Sequence, residues 1–120
     1  MAGGKAVSRW RLPWGMADVS GGSMLPNLAD GERVLVRYRA RVRPGDVVLA
    51  VRPDRPDVLM FKRAVRRDPE GWWVLGDQPY RSTDSREFGP VPDGLVLARA
   101  LLVRRRKRWS RIGTDNPFEG

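Results

Sequence analysis

Apolar and polar positions alternate along this chain in short stretches. "RVLVRY", Arg33 to Tyr38, sets Val34, Val36 and Tyr38 on one face and Arg33, Leu35 and Arg37 on the other, the period of a half-buried strand. "RVRPGDVVLAV" runs from a Pro-Gly turn into an apolar stretch, Val47 to Val51. "RPDRPD" reads as a turn, "VLMFKRAVRR" as a second extended run, "DPEG" as another turn and "WWVLG" as a further strand. An irregular polar stretch, Asp77 to Glu87, precedes a last apolar run, "GLVLARALLV". Helical periodicity is not sustained anywhere in the interior. The pattern predicts a mainly β fold with little helix, a small barrel or coiled sheet.

The length, 120 residues, suits one modest core. The predicted organisation is a leader over 1–14, one domain over 15–103 and a basic tail over 104–120. No apolar run approaches the roughly 18 residues of a membrane span. Arg9 and Arg11 interrupt the N-terminal stretch, unlike a secretory signal. A cytoplasmic protein is expected, with at most peripheral contact to a membrane.

Charge adds a second element. The net charge is +9, with seven basic residues between Arg99 and Arg111. Such a run is either a solvated strand end or a weak contact for an anionic partner, be it a membrane surface, an acidic protein segment or nucleic acid. Trp10, Trp14, Lys5, Arg9 and Arg11 would add to an interfacial patch. A basic anion-binding module without catalysis is therefore one reading of the whole chain; nucleic acid is its less expected partner.

The chain contains no histidine and no cysteine. Ser-His-Asp, Cys-His and zinc-dependent hydrolysis drop out together, and no metal or other cofactor is implied. A serine with a lysine base is the acyl-transfer chemistry that remains. Lysine serves as a base only when desolvation lowers its pKa from about 10.4. Of three lysines, Lys5 lies in the leader and Lys107 in an arginine cluster. On an extended chain Lys62 shares a face with Val58, Met60 and Ala64, while Arg63 falls opposite with Phe61 and Val65. From this stretch alone Lys62 reads as a half-exposed side chain extending its amine to water, or as a buried base. Ser23, in "VSGGSMLPNLADGERVLV", reads alone as part of a Gly-Gly-Ser turn, although the glycines would let a substrate backbone approach closely. "GDQPYRSTDSREFGPV", Gly76 to Val91, reads either as a surface loop or as a platform held by an Asp84–Arg86 charge pair.

In this order, "GGSMLPNLADGERVLV", "MFKRAV" and "GDQPYRSTDSREFGPV" resemble the three motif boxes of the type I signal peptidases, which are serine–lysine peptidases. The resemblance covers residues 16 to 103. It implies the signal-peptidase-like coiled-sheet catalytic domain, with Ser23 as nucleophile and Lys62 as general base. Ser82 matches the serine that orients the lysine, Asp84 and Arg86 its supporting pair, and Gly76 and Asp77 the opening of the third box. Gly21, Gly22, Met24 and Pro26 would border the oxyanion hole and substrate groove, with Met24 equally suited to core packing. Gly21 stands where bacterial members often carry a Ser or Thr whose hydroxyl contributes to that hole. Gln78 replaces the usual Asn. "RPGDVVLAV", "KRAVRR", "GWWVLGD" and "STDSREFGPVP" are most similar to the branch that matures nickel-type superoxide dismutase. That branch implies removal of an N-terminal propeptide from the dismutase precursor, with nickel belonging to the substrate. The alternative is signal-peptidase-like processing of exported preproteins.

Overall fold

A computed structural model describes residues 13–115. They form one antiparallel sheet of seven strands: β1 Trp14–Asp18, β2 Arg33–Tyr38, β3 Val47–Arg52, β4 Arg55–Asp68, β5 Gly71–Leu75, β6 Val96–Arg105 and β7 Arg108–Arg111. The order is β1-β2-β6-β3-β4-β5, with β7 on β6. Helix is confined to one turn, α1 Ser85–Phe88, and the 3₁₀ turns Pro79–Arg81 and Asp93–Leu95. The expected mainly β, little-helix fold is what the chain adopts.

The apolar run of β3 is continuous because both faces of the sheet are covered there. Val47 and Leu49 enter one cluster with Met24, Leu28, Val34, Val36 and Phe61. Val48 and Ala50 enter another with Ala64, Trp72, Val74 and Val91. β2 keeps its alternation, with Val34 and Val36 buried and Arg33 exposed. β6 pairs with β2 along one side; on the other, its start pairs with β3 and its end with β7. Register shifts at Leu35/Val36, Leu49/Ala50 and Ala64/Arg66 accompany this coiling, since an extra residue in one strand increases local twist.

Two consequences position the cleft described below. Among the described residues β1 pairs only with β2, and its other edge is left open by them. In β4, Arg55 to Arg63 pair with β3 while β5 takes only Arg63 to Asp68, leaving the first half of β4 with an open edge as well.

Some boundaries differ from the sequence expectation. β4 begins at Arg55, inside the expected "RPDRPD" turn. Trp14, the last residue of the expected leader, opens β1; the rest of that leader, with Lys5, Arg9, Trp10 and Arg11, lies outside the described residues apart from Pro13. The expected basic tail starts inside β6, and Arg108–Arg111 form β7. The β6–β7 turn places Arg106 and Lys107 at φ of 48° and 65°.

Candidate active site

Ser23 lies in the connection between β1 and β2, and that connection is tied down at both ends. Val19 N–H donates to Glu32 O at 2.8 Å, and Gly31 N–H to Val19 O at 2.8 Å. Inside the loop, Met24 and Leu28 are fully buried in the first cluster, and Leu28 N–H donates to Met24 O at 2.9 Å. The residue after Ser23 is thus a core plug, which holds half-buried Ser23 at the core's rim. Gly21 has φ of 82° and donates its N–H to Asp30 Oδ1 at 2.7 Å; a side chain would strain that backbone.

Lys62 enters from β4, opposite Val48 of β3, and retains only 5% exposure. Burial is the main force on its amine, pushing the pKa down to about 8; the charge of Asp84 opposes this and that of Arg52 adds to it. Of the two readings of Lys62 left open above, burial is the one the structure shows.

Ser23 and Lys62 line one cleft of about 550 Å³. Met16, Ala17 and Asp18 from the open edge of β1 form one wall. Val58 to Phe61 from the open edge of β4 form the other. Gly21, Gly22 and Met24 border the cleft, with Arg81 and Thr83 from the third motif; Pro26 does not. Met24 therefore serves the core and the cleft floor together.

Gly76, Asp77, Ser82 and Asp84 stand behind this surface and brace it. Ser82 Oγ donates to Asp84 Oδ2 at 2.9 Å, and Gly76 N–H donates to the same oxygen at 3.1 Å. Arg86 donates through Nε to Asp84 Oδ1 at 2.9 Å and through Nη2 to Oδ2 at 3.0 Å. Burial by itself would raise the Asp84 carboxyl, but Arg86, the Gly76 N–H and the Ser82 hydroxyl hold it below the usual carboxylate range. The charge pair expected at Asp84–Arg86 is present, and Asp84 also caps α1.

This platform is fastened to the Ser23 loop. Gln78 donates its backbone N–H to Ser23 O at 2.8 Å, a contact that any non-proline residue supplies. A Cβ on Gly76 would fall 2.2 Å from Ser82 Oγ and 2.7 Å from Ser23 O, so only glycine fits between them. Asn27 Nδ2 donates to Asp77 Oδ2 at 2.7 Å.

Asp77 also receives Arg63, through Nε to Oδ1 at 3.1 Å and Nη2 to Oδ2 at 2.7 Å. Arg63 donates further to the carbonyls of Gly45 and Gly113. The sequence reading placed Arg63 on the face opposite Lys62 without anticipating its burial or its partners. Asn27 and Arg63 were missed for one reason: each is defined by a partner 14 or 50 residues away. The acid of Gly76-Asp77 was the one available signal for a buried cation.

Residues 13–85 match the family described as Peptidase S24-like. The chain is similar to mitochondrial inner membrane protease subunit 2 of Schizosaccharomyces pombe, 31% identical over 71% of this chain and 61% of the relative. It is similar to mitochondrial ATP-independent inner membrane protease subunit 1a of Arabidopsis thaliana, 34% identical over 70% of this chain and 66% of the relative. Subunit 2 of Danio rerio is 34% identical over 85% and 70%. The chain spans less than two thirds of the first two relatives. These relatives are inner membrane proteases by name, which overturns the expectation of a cytoplasmic protein. They are not dismutase-maturing enzymes either, so they support the broader signal-peptidase-like reading. Among the described residues no helix is long and apolar enough to cross a membrane.

Proposed function

The chain belongs to the Peptidase S24-like family, and on that premise we propose that it is a serine endopeptidase that trims precursor proteins near their N-termini with a Ser23–Lys62 dyad. One observation carries this: a serine and a lysine of lowered pKa share a cleft between two open strand edges. The precursor lies extended between β1 and the first half of β4, its backbone pairing with either edge. Neutral Lys62 accepts the Ser23 Oγ proton as the oxygen attacks the scissile carbonyl. The same proton then passes to the leaving amine, and an acyl-enzyme remains on Ser23. Lys62 next takes a proton from water as its oxygen attacks the ester, then passes that proton to Ser23 Oγ as the ester bond breaks, which releases the product acid and restores neutral Lys62. Ser82, Asp84 and Arg86 act as a platform that sets where the Lys62 amine points.

Signal-peptidase-like processing of exported or sorted preproteins is the substrate class that the named relatives favour. Removal of a propeptide from a nickel-type superoxide dismutase precursor is the finer reading, supported by "RPGDVVLAV", "GWWVLGD" and "STDSREFGPVP". The test incubates the protein, Ser23→Ala and Lys62→Ala with a dismutase precursor and with several unrelated preproteins, following intact mass. Both variants should leave every precursor uncut, and processing by either would sink the dyad. Cleavage of the dismutase precursor alone selects the finer reading; cleavage of several preproteins selects the broader one. The wild-type rate should rise with pH and level off above about 8, as Lys62 loses its proton.

A further inference from the structure

Attack on a peptide carbonyl places negative charge on its oxygen, and a donor aimed at that oxygen is worth about 10²–10³ in kcat. The Ser23 N–H supplies one donor. Neither Gly21 nor Gly22 has a side chain to supply another, and at Gly21 the φ of 82° disfavours one. A Cβ on Gly21 would meet nothing within 4 Å; it is the next glycine, Gly22, against which Arg81 and Leu25 pack. A Cβ placed on Gly22 would lie 3.3 Å from Arg81 Nη1 and 3.4 Å from Arg81 Cδ. The arginine therefore lies across the glycine that immediately precedes the nucleophile, and its Nη1 is the nearest polar atom to that position.

The backbone around Arg81 is fixed on both sides. Arg81 ends the 3₁₀ turn Pro79–Arg81, and its N–H donates to Gln78 O at 3.1 Å. Gln78 is itself bonded to Ser23 O, and Ser82 is bonded to Asp84. Arg81, an exposed residue, lines the same cleft as Ser23 and Lys62. Among the described residues it makes no ion pair and no side-chain hydrogen bond. Its five N–H donors are thus uncommitted within the described residues.

We propose that Arg81 supplies the second donor of the oxyanion hole, its guanidinium binding the carbonyl oxygen that becomes negative when Ser23 attacks. This rests on the Ser23–Lys62 reading above. Ser20 and Thr83 also line the cleft, but it is Arg81 whose atoms pack on Gly22. A delocalised cation fits the task, because it is always charged and offers N–H groups in a planar fork.

The experiment compares the full chain with Arg81→Ala and Arg81→Lys on a precursor that the wild type cuts. It adds a peptide aldehyde carrying the sequence N-terminal to the cleaved bond, which forms a tetrahedral adduct with serine. Arg81→Ala should lower kcat about 100-fold with KM within about threefold, and should weaken the aldehyde by the same factor. Arg81→Lys should keep part of kcat. Free guanidinium, far below denaturing concentration, should restore part of the rate to Arg81→Ala and none to Ser23→Ala. Unchanged kcat, a loss falling on KM alone, or no rescue would overturn the proposal; a pure KM effect would make Arg81 a contact for an acidic substrate side chain. Ser23→Ala separates the two readings: if it still cuts, the dyad fails. If it is inert while Arg81→Ala keeps full kcat, only the role of Arg81 fails.

Discussion

Lys62 and Arg63 are neighbours on β4, both nearly inaccessible, and the fold treats them in opposite ways. Arg63 is 2% exposed and partnered at all three nitrogens, with a two-point pair to Asp77 and two backbone carbonyls. Lys62 is 5% exposed, and no carboxylate pairs with it among the described residues. A buried cation must be matched by an anion or give up its charge. Arginine cannot lose its proton in a protein, whereas lysine can. One side of the strand therefore carries a structural charge and the other a proton acceptor. The arginine side locks the third motif to the sheet; the lysine side is left with a mobile proton.

Exchanging the two chemistries should break this contrast with the largest effect. Lys62→Arg keeps the charge and most of the length, yet processing should fall by about 10³-fold or more, because the group can no longer be neutral. Initial rates on a cleavable precursor measure this, and a variant within tenfold of wild type would end the contrast. Next in size is Asp77→Ala, which leaves Arg63 buried beside carbonyls alone and removes the acceptor of Asn27. A loss of about 3–5 kcal/mol is expected from denaturant melts. A loss under about 1 kcal/mol would show that Arg63 finds water or another acceptor.

The smallest effect has the opposite sign. The folded pKa of Lys62 lies below its unfolded value, so the unfolded chain binds more protons and burial of the amine costs stability. That cost is complete below about pH 8 and fades as pH rises toward 10.5. Lys62→Met should therefore be inactive but more stable than wild type at pH 7, by up to about 3 kcal/mol. Melts at pH 7 and pH 10 should show the gap narrowing. A gap that holds constant with pH would mean that Lys62 is not desolvated.

Much of the sheet was legible because its strands are short and regularly patterned. "RVLVRY" announced one buried face, and "VVLAV" an apolar run whose burial on both faces became visible only in the sheet. Boundaries were less legible where twist intervenes: β4 starts early and shifts register after Ala64, a choice set by its pairing with both β3 and β5. In the candidate site, Ser23, Lys62, Ser82, Asp84 and Arg86 could be singled out because each motif is local. Pro26, expected at the groove from its nearness in sequence to Ser23, is not among the residues that line the cleft. Arg81 drew no notice because an arginine in a polar loop looks the same whether it faces water or Gly22.

Composition set the chemistry on offer. Without histidine or cysteine, a hydroxyl nucleophile has only lysine as a base of matching range, and three lysines leave little choice. Residue order set the alternation that makes a sheet, since period-two patterning is a property of neighbouring residues. Which cations lose water and which meet an anion depends instead on the folded packing. Desolvation is imposed by whatever packs over a side chain; Lys62 lies opposite Val48 of β3 and feels the charge of Asp84, and Arg63 meets Asp77, all distant along the chain. The open edges of β1 and β4 follow likewise from strand order, which no single strand encodes.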